Sequence, residues 1–211
     1  MDKLVGKHFT ALGQQAVKVL NDKRFQAQFA ATGEEALKCI LALIKDTDTV
    51  GMGGSRTLEE LDIKSELEKR GNVIYNHQGL PREEARIIRC KELMSDVFLS
   101  STNAVTLEGE LINVDGVGNR VAAMTFGPKR VIVVVGANKI VKDEEAGRKL
   151  IKLYAAPMNA SRIGCKTPCV ATGICMECNS PERICKVTSI MHMAPTGSDF
   201  HIIVVGERLG Y

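Results

Sequence analysis

The sequence predicts an α/β fold with an open, largely parallel sheet and helices on both of its faces. Short apolar or β-branched runs alternate with segments of helical periodicity along most of the chain, as in proteins built from strand–helix–strand units. Residues 131–135 form an uninterrupted apolar run that ends at Gly136, which is typical of a strand buried on both faces. Thr32 and Thr57 each precede a glutamate by three residues, so each indicates a helix start with a capping box.

The first part of the chain predicts a long helical segment. Apolar residues recur at helical spacing from Leu4 to Leu20, which predicts a helix from residue 4 to about residue 31, with a break at Asn21 and Asp22 as an alternative. We expect residues 1–45 to be a helical arm packed on the core, or on a second subunit in a homo-oligomer. Residues 46–211 are then the α/β domain.

The remaining elements follow from short apolar runs and helix boundary signals. Strands are predicted at residues 48–50, 73–75, 96–100, 111–114 and 202–205. Helices are predicted from the two capping boxes to about residues 45 and 70, and at residues 81–93, 118–126 and 143–156. Residues 187–193 are compatible with either type of element.

Composition excludes several classes of partner. The 211 residues are 45% hydrophobic and 25% charged, which suits one sizeable core. The net charge of +3 comes without a basic run interleaved with aromatics, so nucleic acid is not an expected partner. The N-terminus has no signal-peptide pattern, and the apolar runs are too short to span a bilayer. A cytoplasmic protein without a membrane span is expected.

Five cysteines within 21 residues indicate a metal site. They lie in a predicted loop at residues 163–186, which is rich in glycine and proline. Thiolates gathered by a loop suit an iron–sulfur cluster, which we favour, or zinc. Reduced thiols or a disulfide pair are the alternatives, and a cytoplasmic location disfavours the disulfide. The candidate ligands are Cys165, Cys169, Cys175, Cys178 and Cys185.

A glycine-rich turn between a predicted strand and helix is a candidate cofactor-binding loop. Gly51, Gly53, Gly54 and Ser55 could present backbone N–H groups at a helix N-terminus to a phosphate or carboxylate. The alternative is a tight turn with no ligand. The spacing matches neither the dinucleotide fingerprint nor the P-loop, and the chain shows no nicotinamide or flavin fingerprint.

A second glycine-rich turn carries groups for binding and catalysis. Asn113 and Asn119 offer amides for binding, Asp115 a catalytic carboxylate, and Arg120 a guanidinium for an anionic substrate. This turn follows a predicted strand, and ligands of open α/β sheets bind at the carboxyl ends of strands. The alternative is an Asp–Arg pair that holds the loop together.

Two further residues are catalytic candidates. Glu108 lies beside a glycine and offers a carboxylate, although an exposed turn is the alternative. Lys139 follows the buried strand at residues 131–135 and offers a cation at the same edge of the sheet, with a solvated lysine as the alternative.

Several of these motifs together resemble the LUD (lactate-utilisation, DUF162) domain family. They are the glycine turn at residues 51–55, the segment from Asn113 to Ala123, the segment at residues 127–141 that contains a predicted strand, and the cysteine pattern at residues 168–185. The resemblance runs from about residue 45 to the end. It implies a fold like that of the superfamily of ribose-5-phosphate isomerase, glucosamine-6-phosphate deaminase and CoA-transferases.

The resemblance implies a component of lactate, or 2-hydroxy acid, utilisation. The family's best-known members belong to a multi-subunit iron–sulfur system, which implies a small anionic metabolite and an electron-transfer partner subunit. The chain lacks the ferredoxin-like segment of the larger members. Two alternatives therefore stay open: a non-redox enzyme that binds a sugar phosphate or CoA ester and contains structural zinc, and a regulatory subunit without catalysis.

Overall fold

The fold is seen in a computed structural model that describes residues 2–211. Within them the chain forms ten strands: β1 (Gln26–Ala30), β2 (Thr49–Met52), β3 (Val73–Asn76), β4 (Val97–Ser100), β5 (Ala104–Thr106), β6 (Leu111–Asp115), β7 (Arg130–Gly136), β8 (Ile140–Val141), β9 (Val187–Met191) and β10 (Asp199–Val205).

The same residues form nine α-helices: α1 (Lys3–Asp22), α2 (Gly33–Ala42), α3 (Arg56–Glu60), α4 (Ile63–Lys69), α5 (Arg82–Leu93), α6 (Asn119–Thr125), α7 (Glu144–Leu150), α8 (Ala156–Arg162) and α9 (Pro168–Thr172). A π-helical turn (Ile151–Ala155) joins α7 to α8.

Six strands form an open sheet in the order β1-β10-β7-β4-β2-β3, and every pair in it is parallel. Strands β8, β5, β6 and β9 form a smaller mixed sheet, in that order. The predicted α/β class and parallel sheet are confirmed. The second sheet was not predicted, because β5 and β8 have only three and two residues.

Two apolar layers cover the faces of the main sheet. Successive residues of β7 alternate between them: Val133 packs with α1 and the second sheet, whereas Val134 packs with α2 and α4. Such alternation is what the twofold repeat of a strand imposes. Helices therefore lie on both faces, as predicted.

The helix predicted to extend to residue 31 is wrong beyond Asp22. The chain leaves α1 through Arg24, which has a positive φ of 64°. Strand β1 then pairs in parallel with β10 at the edge of the main sheet. The short mixture of polar and apolar residues at 26–30 fits the period of a helix or of a strand. Pairing with a strand far along the chain makes this segment a strand. The predicted boundary between residues 45 and 46 stays a prediction.

Other element boundaries also differ from prediction. Ser55, and not Thr57, caps the helix after β2, because its Oγ accepts the Leu58 N–H at 3.3 Å. That helix ends at Glu60, and α4 begins after Asp62 in a left-handed conformation. The helix predicted to end near residue 156 continues to Arg162, with the π-helical turn just before Pro157. A proline removes one N–H from the helical ladder, and a π-turn is one way to absorb that loss.

None of the helices within residues 2–211 is long and apolar enough to cross a membrane.

Candidate functional site

A cleft of about 450 Å³ lies at the carboxyl ends of the parallel strands. The segments that follow β2, β3, β4 and β7 all contribute to it, because parallel strands end at the same edge of a sheet. The end of β6, the π-helical turn and the cysteine loop complete the walls. Six predicted site residues and one predicted metal ligand line it: Gly54, Ser55, Asp115, Asn119, Arg120, Lys139 and Cys185.

Other predicted residues lie outside this cleft. Gly51 is inside β2, where a Cβ would come within 2.8 Å of the Glu92 carbonyl oxygen, so the glycine lets α5 pack closely. Gly53 lines a neighbouring pocket. Asn113 is buried behind the cleft wall. Glu108 is exposed in the turn between β5 and β6.

Arg120 holds the two sheets together behind the cleft. Its Nη1 donates to the Ser101 carbonyl (3.0 Å) and to Asn113 Oδ1. Its Nη2 donates to Asn103 Oδ1 (3.1 Å) and to the Val114 carbonyl (2.9 Å). Ser101 follows a strand of the main sheet, and Val114 belongs to the second sheet. The guanidinium predicted to bind an anionic substrate thus uses most of its donors on neutral protein oxygens.

Asp115 shapes the turn before α6. Its carboxylate accepts the backbone N–H groups of Val117, Arg120 and Val121, each at 3.2 Å. Burial raises the pKa of Asp115, but the guanidinium charge of Arg120 and these N–H groups outweigh it, so the pKa lies below its usual value. The contact with Arg120 is through the backbone, so the pair differs from a side-chain ion pair that holds the loop together.

Lys139 is a buried amine at the cleft wall, only 4% exposed. Its Nζ donates to Thr57 Oγ1 (2.9 Å) and Ser101 Oγ (3.2 Å), which leaves one of its three N–H donors for a ligand. Burial and the charge of Arg120 lower the pKa of Lys139 to about 8, and Glu60 opposes that shift. The alternative of a solvated lysine is therefore wrong.

Neither buried cation forms a salt bridge with a carboxylate side chain. Glu60, the acid that acts most on Lys139, is bonded to Arg56 and to the Gly210 N–H. The carboxylate oxygens of Asp115 accept hydrogen bonds from backbone N–H groups. Within residues 2–211, Arg120 and Lys139 thus make no ion pair with an acid. Burying a charge without a partner is costly, and a bound anion would supply the missing charge.

The charged lining of the cleft is strongly cationic. The cationic side chains are those of Arg56, Arg89, Arg120, Lys139 and Arg162, against the single carboxylate of Asp115. Arg89 Nε is buried without a hydrogen-bond partner among residues 2–211. Arg56 and Arg162 instead pair with Glu59 at the rim. The cleft thus has a positive potential, with Arg89 and Lys139 as the cations that have donors to spare.

Sequence reasoning missed a histidine–carboxylate pair in the cleft wall. His77 follows β3, and its Nδ1 lies 2.6 Å from Oε1 of Glu92, which is 1% exposed. A signal was present: Glu92 is seven residues after the buried Ala85 in α5 and so lies on the same, core-facing side of the helix. A carboxylate at such a position needs a polar partner.

The cysteine loop forms one wall of the cleft and is tied to the fold by its backbone. The Cys175 N–H donates to the Lys152 carbonyl (2.9 Å) in the π-helical turn. Arg183 donates to the carbonyls of Cys178 and Cys185, both at 2.7 Å. A Cβ on Gly116 would lie 3.1 Å from the Ile184 carbonyl oxygen, so the loop packs directly against the turn that holds Asp115.

The thiols of the loop influence one another electrostatically. Burial raises the pKa of Cys185, and charges on Cys175, Cys169 and Cys178 raise it further while Arg183 lowers it. Even so, among residues 2–211 no three His, Cys, Asp or Glu side chains are placed to hold one metal ion. The predicted iron–sulfur or zinc site stays a prediction, and the function proposed for the cleft does not depend on it.

The comparisons with known proteins agree on one family. The model of the LUD domain matches residues 13–205, so the match includes β1 and the second half of α1. The crystal structure of a DUF162 family protein from Deinococcus radiodurans is similar in fold, with a TM-score of 0.53 over 93% of this chain and 97% of that chain. At 13% identity, this likeness concerns the fold alone. No curated protein matched the chain.

Replacing Arg120 with lysine should destabilise the protein. One ammonium cannot reach the four oxygens that the guanidinium now contacts on both sheets, and each lost hydrogen bond to a charged group costs about 1.5 to 3 kcal/mol. We expect the free energy of urea unfolding to fall by at least about 1.5 kcal/mol. Arg82→Lys, on the exposed surface of α5, is the control and should stay within about 0.5 kcal/mol. Equal stability of the two variants would contradict this account of Arg120.

Proposed function

Because the chain belongs to the LUD domain family, we propose that its cleft binds a small carboxylate of the 2-hydroxy acid class, such as lactate. The protein would act as a component of lactate utilisation. The observation that supports this most directly is the buried pair of cations, Arg120 and Lys139, with no carboxylate partner in the residues that the structure describes.

The two cations have different roles in the proposal. The donors of Arg120 are mostly used by protein oxygens, so it contributes charge more than contact. Within residues 2–211, Lys139 has a free N–H and Arg89 has an Nε without a hydrogen-bond partner. We propose that these two side chains contact the carboxylate. Such charge-assisted bonds are stronger than bonds between neutral groups.

The hydroxyl of such a substrate also has acceptors and donors nearby. Ser55, Thr57, Ser101 and Thr102 line the cleft beside the cations, and Ser101 Oγ and Thr57 Oγ1 already orient Lys139. A few fixed polar groups in a pocket that is otherwise partly apolar are typical of a small-molecule site.

A sugar phosphate is the second candidate ligand. The cleft of about 450 Å³ is larger than a three-carbon acid requires, and five cations line it. Phosphate would satisfy the same cations, and the chemistry would then be of the non-redox kind. A direct titration with lactate and with a sugar phosphate therefore distinguishes the two candidates.

Calorimetric titration with L-lactate, lactamide and ribose 5-phosphate tests the proposal. We expect lactate to bind and its neutral amide to bind at least tenfold more weakly, because an ionic hydrogen bond contributes about 1.5 to 3 kcal/mol. Lys139→Met should weaken lactate binding by a similar factor. Lys142→Met, an exposed lysine outside the cleft, is the matched control and should bind as the wild type does.

Two results would count against a lactate site. Equal affinity for lactate and lactamide would mean that charge plays no part. Tighter binding of ribose 5-phosphate, weakened by Lys139→Met, would transfer the proposal to the sugar-phosphate class.

The cysteine loop is proposed to hold the redox centre of this system. Oxidising a hydroxy acid releases two electrons that need an acceptor, and the sequence has no nicotinamide or flavin fingerprint. Soft thiols suit iron–sulfur, with zinc as the alternative, and Arg183 holds the backbone carbonyls of Cys178 and Cys185 together. An electron-transfer partner subunit is part of the same proposal.

Metal and sulfide analysis after anaerobic purification tests the loop. We expect a brown protein with iron and acid-labile sulfide, and loss of most of both in Cys175→Ser and Cys178→Ser. Cys39→Ser and Cys90→Ser, which lie outside the loop, should retain the metal. Full metal retention after loss of Cys175 or Cys178 would refute the assigned ligands. Stoichiometric zinc in a colourless protein would instead refute the redox role.

A further inference from the structure

His77 is held in one orientation at the cleft wall. Its backbone N–H donates to Glu92 Oε1 at 3.0 Å, and its ring Nδ1 lies 2.6 Å from the same oxygen. One carboxylate oxygen thus fixes both the main chain and the ring. His77 itself lines the cleft, and its side chain is 14% exposed.

Glu92 has no other cationic partner in the described part of the chain. Its second oxygen faces Asn119 Nδ2 at 3.5 Å. A carboxylate that accepts the Nδ1–H leaves Nε2 of the ring with a lone pair, and it stabilises the imidazolium that forms when Nε2 takes up a proton.

We infer that His77 is the group that accepts the hydroxyl proton of the bound substrate, with Glu92 as its positioning residue. The inference rests on the proposed binding of a 2-hydroxy acid. In the step, the substrate's O–H bond breaks, its electron pair stays on oxygen, and an N–H bond forms at Nε2 of His77. The carboxylate of the substrate stays on Lys139 and Arg89.

The other titratable groups of the cleft are less suited to this step. Asp115 already accepts three backbone N–H groups. Lys139 donates to two hydroxyls and is protonated below about pH 8. Among these groups, only His77 is bonded to a buried carboxylate, that of Glu92, and also lines the cleft.

A second histidine in the chain is a matched control. Nδ1 of His192 lies 2.7 Å from Glu110 Oε1, which repeats the pairing of His77 and Glu92. The side chain of His192 is 69% exposed and lies outside the cleft. Any effect of a generic histidine–carboxylate pair should therefore appear equally at both positions.

The test compares L-lactate with propionate, which has the carboxylate but no hydroxyl. If His77 accepts the hydroxyl, the wild type should bind lactate about 3- to 10-fold more tightly, the usual effect of one neutral hydrogen bond. His77→Asn keeps a donor for Glu92 but lacks Nε2, so the ratio should fall to about one while propionate binding stays unchanged. His192→Asn should keep the wild-type ratio.

Nitrogen NMR of ¹⁵N-histidine-labelled protein gives an independent readout. We expect His77 to carry its proton on Nδ1, and lactate but not propionate to shift the Nε2 signal. Glu92→Gln should mix the two ring tautomers and reduce the lactate preference, which a purely structural role of Glu92 would not do.

The inference and the proposed function fail in different ways. A lactate preference that survives His77→Asn, or an Nε2 signal that lactate leaves unchanged, overturns the role of His77 while carboxylate binding stands. If neither lactate nor propionate binds to the wild type, the proposed function is overturned, and the substrate assigned to His77 is overturned with it.

Discussion

The guanidinium of Arg120 is the contact on which the site depends. It lies between the end of β4 and the second sheet, and it donates to oxygens on both sides. Asn103 reinforces the joint, since its Oδ1 also accepts the Val114 N–H at 2.9 Å. All these acceptors are neutral, and Asp115 contacts Arg120 only through its backbone N–H, so the guanidinium forms no salt bridge beside the cleft. One residue therefore both joins the two sheets and gives the site its electrostatic character.

The remaining groups of the site are placed by the topology of the main sheet. Ser55, His77, Ser101 and Lys139 follow four different parallel strands, so they meet at one edge although they are far apart along the chain. The second sheet and the cysteine loop enclose this edge from the other side. The result is a cationic cleft with a buried carboxylate–histidine pair in its wall.

The parts of this arrangement that could be predicted from sequence are those with a local signal. The apolar run of β7, the cap at Thr32 and the glycine turns each carry their own pattern, so the sheet and the position of Lys139 followed from them. Strand β1 has no such pattern, and its pairing with β10 depends on residues more than 170 positions away. The contacts of Arg120 were not predicted because its acceptors lie on other elements, and the pairing of His77 with Glu92 is likewise non-local.

The most direct test of the account is how carboxylate affinity depends on pH. Burial and Arg120 lower the pKa of Lys139 to about 8, so its ammonium is present below that pH and lost above it. Calorimetry from pH 7 to pH 9.5 should show lactate affinity falling above about pH 8, by up to tenfold per pH unit, while Lys139→Arg, which stays protonated, gives a flat profile. A flat profile for the wild type, or the same decline in both proteins, would contradict the claim that an uncompensated buried cation makes this cleft an anion site.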